Sequence, residues 1–308
     1  MRRNLRLGVA ASVVSASMWA VARPSPAQPV EADRVLATQV LLDRARFSPG
    51  EIDGKTGPNT TRAIEAFERA KGLSIAEALA TAEPATVSYT IGPEDVSGPF
   101  LEALPEDMME KAKLPRLDYT SPLEMLGERF HTAPQLLKRL NPSASFSAGE
   151  SIVVPNVIVA TATTPAAAPP AAAVTVTVSK SKSILTVADR AGQIVYHAPA
   201  TTGSEHDPLP LGEWTVTGVA RNPKFHYNPD LFWDADPSHA KATVPPGPNG
   251  PVGLVWIDLD KPHYGIHGTP EPGTIGHTAS HGCVRLTNWD AVAVAGLVAK
   301  GTKVVFVE

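Results

Sequence analysis

The stretch Ser280-His281-Gly282-Cys283-Val284-Arg285 decides how the chain is read. Cys283 is the only cysteine among 308 residues, so it cannot staple the fold through an internal disulfide. A lone thiol beside a histidine and an arginine suits nucleophilic chemistry, because a thiolate needs a base to form and a cation to hold it. Free cysteine is also a common buried apolar residue. The neighbours argue against that alternative. Gly282 permits close approach of a substrate backbone, and a core position does not call for His281 and Arg285 at its side.

Working outward, Tyr264-Gly-Ile-His-Gly268 supplies a second histidine followed by glycine, and Ile275-Gly276 lies between the two sites. The order Y-G-I-H-G-T-P, then I-G, then S-H-G-C-V-R-L resembles the catalytic signature of the L,D-transpeptidases, the YkuD-type cysteine enzymes of the bacterial cell wall. His267, Ser280, His281, Gly282, Cys283 and Arg285 match the family pattern. The resemblance makes Cys283 the nucleophile, His267 the general base and acid, and the Gly268 carbonyl the group that orients the imidazole. It implies a stem tetrapeptide ending in D-Ala as donor, a thioester intermediate, an amine acceptor and acylation by carbapenems. No cofactor is implied. Arg285, Ser280, His281 and Tyr264 are the expected substrate-binding residues.

The residues carry part of this by themselves. The backbone N–H groups of Gly282 and Cys283 are candidates for an oxyanion hole. If Cys283 to Arg285 is extended, the two side chains face the same way, and Arg285 can meet a substrate carboxylate. His281 would share that face, but its Cα then stands roughly 6–7 Å from that of Cys283. A residue on a neighbouring strand can come closer, about 5 Å between Cβ atoms, which favours His267 as the base. A metal site on His277, His281 and Cys283 is a rival reading, since H-x3-H-x-C has ligand-like residue types. A non-catalytic peptidoglycan-binding protein is a rival of another class, but it leaves the signature unexplained.

Length allows two or three domains. A net charge of −4 and a pI near 6.1 imply no basic field for nucleic acid. Arg2, Arg3 and Arg6 precede an uncharged run from Leu7 to Val21, and Ala20-Val21-Ala22 is an A-x-A cleavage candidate. Residues 1–22 therefore read as a secretory signal peptide, with an uncleaved anchor as the alternative. The expected location is exported, in the periplasm or cell envelope.

The expected fold class is multidomain α+β. Residues 31–75 read as a small helical domain, two helices around a Gly-rich turn, with Asn59 as cap of the second. Gln39, Leu42, Asp53, Gly54, Gly57, Thr60, Ala63 and Phe67 resemble the peptidoglycan-binding helical domain, with Glu68 where that family usually has glutamine. Residues 88–157 resemble a LysM-like module or form a spacer. Helices are expected at Pro122–Phe130 and Pro134–Leu140 and a strand at Gly149–Pro155, with Leu117–Thr120 as the opening strand.

Residues 158–173, almost all Ala, Thr and Pro, form an extended linker and a domain boundary. Residues 174–308 read as a mainly β, sandwich- or barrel-like catalytic domain with one helix at Asn288–Ala299. This unit is expected to fold and react by itself. Arg221 to Gly253 is a long loop too rich in Phe225, Tyr227, Phe232 and Trp233 for disorder, so it reads as a substrate-covering lid. The acceptor stays open: another stem, a wall-attached protein, water as in an L,D-carboxypeptidase, or a D-amino acid.

Overall fold

The computed structural model describes residues 29–157 and 174–308. The expected signal peptide and linker lie outside the described residues. Among the described residues, no helix is long and apolar enough to cross a membrane.

The first module packs α1 (Pro29–Arg44), α2 (Pro58–Lys71) and a short α3 (Ile75–Ala80) that periodicity did not suggest. Helix α2 begins at Gly57 with Pro58 in its first turn and ends at Gly72 in the left-handed region. Asn59 is therefore not the cap. Its side chain reaches another part of the molecule. Gln39 is buried, donates to Asp53, Lys55 O and Thr60, and accepts from the Gly54 N–H. The residues that carry the peptidoglycan-binding resemblance thus tie the Gly-rich turn to α1. Glu68 accepts from the Ile75 N–H at 2.8 Å and anchors the start of α3.

The middle module pairs β1 (Thr86–Thr90) with β2 (Ser151–Pro155), antiparallel. Between them come α4 (Met108–Lys111), α5 (Pro122–Arg129) and α6 (Pro134–Leu140). Ser121 caps α5 by accepting from the Glu124 N–H, with Pro122 in the first turn. The opening strand is β1, some thirty residues upstream of the expected Leu117–Thr120 (from 117 back to 86). Leu117 instead joins a small apolar cluster with Tyr227 and Val244. Its extended look reflects that distant packing rather than the module's own sheet.

The C-terminal domain contains β3 (Val174–Ser179), β4 (Ile184–Asp189), β5 (Ile194–Pro199), β6 (Gly212–Arg221), β7 (Phe225–Tyr227), β8 (Ala242–Val244), β9 (Val255–Leu259), β10 (Gly265–His267), β11 (Val284–Arg285), α7 (Asn288–Ala295) and β12 (Lys303–Val307). Eight strands form one sheet in the order β11-β10-β9-β6-β12-β3-β4-β5. Beyond β5 the chain reaches Thr201, which exchanges backbone bonds of 3.0 and 2.8 Å with Arg285 on β11. The two margins of the sheet meet there, so it curls back on itself. Val176, Leu185, Ile257, Ile266 and Val304 fill the inside, and Ala291 and Val294 of α7 close it. Helix α7 stops at Ala295, four residues before the expected end, with Gly296 still right-handed and its N–H turned back to Val292 O.

The N-terminal modules lie against this domain. The Ser48 N–H donates to His197 O on β5 at 2.8 Å, and the His197 N–H to Arg46 O at 3.0 Å. Phe47 sits edge-on to Phe67 and forms an apolar cluster with α2 and Ile194. The middle module joins the first through Ile52, which bonds both His131 O and the Ala133 N–H.

Candidate active site

Strands β10 and β11 run parallel, with Ile266 opposite Val284 and His267 opposite Arg285. Ile266 and Val284 point into the core. Side chains alternate along a strand, so His267, Cys283 and Arg285 share the other face. Of the segment expected to be extended, Val284 and Arg285 form β11, while Cys283 stands in the bend just before it, diagonal to His267.

His267 is buried, and its Nδ1 lies 2.7 Å from Gly268 O. A carbonyl only accepts, so Nδ1 carries the proton and Nε2 keeps its lone pair. Burial, with the Arg285 charge acting the same way, holds this imidazole down to about 4 against the pull of the Gly268 bond. The Cys283 thiol is pushed up by burial, opposed by a Gly265 backbone contact and by Arg285. The resting pair at neutral pH is therefore neutral thiol and neutral imidazole. Trp256 stacks on His267 with ring centres 5.3 Å apart, which fixes the ring plane.

The turn before the nucleophile is held from several sides. Ser280, expected to bind substrate, is buried. Its Oγ donates to Cys283 O at 2.6 Å, and its N–H to Thr202 O at 2.9 Å. It shapes the turn. Gly282 has φ 104°, and a Cβ there would stand 2.8 Å from the Tyr264 ring. Only glycine suits both conditions. Tyr264 thus lies over the turn, beside Cys283. Arg285 is half-buried and makes no ion pair among the described residues, although Glu271 and Asp234 are within electrostatic range.

Asn288 is a positioning group the sequence reading missed, because a polar residue at a helix start reads as capping. Its Oδ1 accepts from the Leu254 N–H at 3.0 Å and its Nδ2 donates to Pro248 O at 3.1 Å. A Cβ on Gly268 would stand 2.1 Å from that Oδ1. Asn288 therefore packs against the glycine whose carbonyl orients His267.

The long loop from Arg221 contains the β7–β8 hairpin and an aromatic group, Phe225, Tyr227 and Phe232. Its root is bolted to the middle module. His239 Nε2 donates to Asp107 at 2.8 Å, and Tyr227 OH meets His239 Nδ1 at 2.9 Å. Its tip reaches the nucleophile segment: Asp234 Oδ1 accepts from His281 Nε2 at 2.8 Å, and Phe232 sits edge-on to the same imidazole. Trp233 stacks on His206 at 4.4 Å. His281, expected to touch substrate, instead meets the loop.

The metal rival fares poorly on geometry. His277 faces Asn59, His281 faces Asp234, and the Cys283 sulfur lies 3.6 Å from His263 O. No three His, Cys, Asp or Glu among the described residues converge as a metal site would require.

Two stretches of the chain match known families. Residues 173–306 match the family described as the L,D-transpeptidase catalytic domain, and residues 31–76 a peptidoglycan binding domain family. The L,D-transpeptidase YkuD of Bacillus licheniformis is 30% identical over 185 residues, covering 59% of this chain and 91% of that protein. Its Bacillus subtilis counterpart is 29% identical over 184 residues, with the same coverage of 59% and 91%. An L,D-transpeptidase structure from Mycobacterium smegmatis aligns at 22% identity over 44% of this chain and 58% of that one, with a TM-score of 0.36.

Proposed function

The chain belongs to the L,D-transpeptidase family, and on that premise we propose that Cys283 takes an acyl group from a peptidoglycan stem tetrapeptide and passes it to an amine. The observation that supports this best is His267, neutral, oriented by Gly268 O and on the same sheet face as Cys283.

Nε2 of His267 takes the thiol proton as the sulfur attacks the carbonyl between the third residue and the terminal D-Ala. The developing oxyanion turns to the N–H groups of Gly282 and Cys283. The C–N bond then breaks, and His267 returns the proton to the departing amine of D-Ala, leaving a thioester. An incoming amine attacks that thioester, the C–S bond breaks, and the sulfur recovers a proton through His267. Arg285, half-buried and in no ion pair among the described residues, receives the carboxylate of the D-Ala leaving group.

Water in place of the amine gives an L,D-carboxypeptidase, and a wall-attached protein gives protein anchoring. Carbapenems enter the same first half-reaction. Such a substrate is met outside the cytoplasm, and the basic and apolar first residues support an exported protein. Glycan would be held by the middle module, whose surface has a groove between the start of α5 and the α6–β2 loop, lined by Ser121, Leu123, Lys138, Asn141 and Phe146.

The test is intact-protein mass spectrometry after incubation with wall tetrapeptides, followed by a muropeptide profile. A thioester adduct on Cys283, absent in Cys283→Ala, with cross-linked products, supports the reading. Turnover without any adduct at Cys283 sinks it.

A further inference from the structure

The loop after β5 runs beside the nucleophile segment. Thr201 pairs with Arg285, Gly203 forms a parallel bridge with Ser280, and the Ser204 N–H donates to Ser280 O at 3.0 Å. The loop then folds back tightly: the Asp207 N–H donates to Ser204 Oγ at 3.1 Å, and a Cβ on Gly203 would stand 2.2 Å from Asp207 O. Asp207 is thereby held beside the segment that ends in Cys283. Tyr264 lies over Gly282, and the charges of Asp207 and Cys283 both add to the burial that pushes its hydroxyl up.

Asp207 is also incomplete. Its Oδ2 has no solvent contact and, among the described residues, no hydrogen-bond partner. A carboxylate oxygen left so is unfavourable, and a natural site holding one calls for an explanation. The neighbouring His206 stacks on Trp233 of the long loop, so this corner lies at the edge of that loop. No part of the donor chemistry uses Asp207. The acceptor, however, is a primary amine, cationic at neutral pH because amines of the lysine type titrate near 10.4. The site then needs an anion for the second substrate as it needs Arg285 for the first.

We propose that Asp207 is the seat of the acceptor's primary ammonium group, so that the site carries separate anchors of opposite charge for its two substrates. The proposal rests on the transferase reading above. In the step it serves, the ammonium gives one proton to the Asp207 carboxylate, and the freed lone pair attacks the thioester carbon. The C–N bond forms, the C–S bond breaks, and a second N–H proton passes through His267 to the departing sulfur. Asp207 afterwards releases its proton to water. The balance is thioester plus ammonium giving amide, free thiol and one proton.

The experiment loads the full chain with a stem tetrapeptide donor and divides the thioester between two nucleophiles. One is a tripeptide with a side-chain primary amine, and the other is hydroxylamine, which is uncharged at pH 7.5. Asp207→Asn should lower transfer to the tripeptide by about 10- to 100-fold, the range for losing a hydrogen bond to a charged group. Donor acylation and hydroxamate formation report on folding in the same sample. Asp207→Glu, which keeps the charge, should restore part of the transfer. Equal loss towards both nucleophiles, or undiminished tripeptide transfer in Asp207→Asn, would overturn the proposal. Absence of any thioester in the unaltered protein would refute the transferase reading itself, and this inference with it.

Discussion

Ser48 Oγ, in the first module, lies 3.1 Å from Asp290 Oδ2 on α7, and neither group reaches solvent. Asp290 also accepts from Tyr196 OH at 2.8 Å and from Thr287 Oγ1 at 2.7 Å. On the preceding residue of α7, Trp289 stacks on His131 of the middle module at 5.1 Å, and His131 pairs with Asp43 of α1 at 2.9 Å. Both N-terminal modules therefore grip the helix that follows the nucleophile strand.

A fragment from Val174 to Glu308 loses those partners, although composition alone marks it as an independent unit. It should melt below the full chain and acylate more slowly. Within the full chain, Ser48→Ala should cost about 1 kcal/mol in urea unfolding, the usual net worth of one hydrogen bond. Identical melting temperatures for fragment and full chain would show that the contacts contribute nothing.

His267→Ala should reduce carbapenem acylation by about 10²- to 10⁴-fold, as expected for loss of a general base. His281→Ala should lower it only a few-fold. The base must be unprotonated, and His267 stays so down to about 4. Acylation by the unaltered protein should hold steady from neutral pH to about 5 and fall only as pH approaches 4. A limb centred near 6.5, an ordinary histidine value, would point to another base.

Arg285→Ala should raise the donor KM about tenfold or more, while Lys recovers only part, because a single ammonium cannot form the planar fork. Steady-state kinetics with tetrapeptide donors checks this. An unchanged KM in Arg285→Ala would make the guanidinium a structural group.

Glu128 faces the α7 side of the middle module, with Oε1 closed to solvent and without a partner. Burial first, then the charges of Glu124 and Glu51, pushes its carboxyl up to about 8, against Asn288 and His131. A folded-state value above the unfolded one means the folded state holds the proton. Stability from this group is complete below about 4.5 and is lost as pH rises to about 8. Glu128→Gln should therefore raise the melting temperature at pH 8.5 and change it little at pH 5. Parallel melting curves for the two proteins at all pH values would contradict this.

Much of this was legible in the residues themselves. The shared face of Cys283 and Arg285 follows from local order, since strand alternation is a property of the backbone, whereas the roles of Cys283 and His267 are what the family resemblance implies. The helices α5 and α6 follow from Pro-led starts after Ser121 and Ala133. What stayed hidden depends on contacts distant in sequence. Leu117 looked like a strand of its own module because it packs on Val244, well over a hundred residues away. Asn59 looked like a cap, yet its Nδ2 donates to Ile275 O at 2.8 Å, in the loop between base and nucleophile. Ser280 and His281 carry ligand-like chemistry, and only the fold shows that Cys283 O and Asp234 already engage them. Gln39 teaches the same point: its side chain binds its own turn, so the motif around it reports on folding before it reports on glycan.

Asp234→Ala should free the loop tip from His281. Limited proteolysis between residues 228 and 243 should then accelerate several-fold, and donor acylation should fall a few-fold, as for lids that complete a site on closing. Unchanged cleavage would mean that the aromatic packing around Phe232 holds the loop alone.

The pairing of Ser48 with His197 has a further consequence for how copies of the protein meet one another. Strand β5 is the last of its sheet, and a bare margin of backbone donors and acceptors invites a strand from another molecule. Here the turn at Phe47 and Ser48 lies along that margin and bonds to it in both directions. The helical module is thus a sheath for that margin. A protease that clipped it away would bare an adhesive seam, and clipped copies would clump with one another.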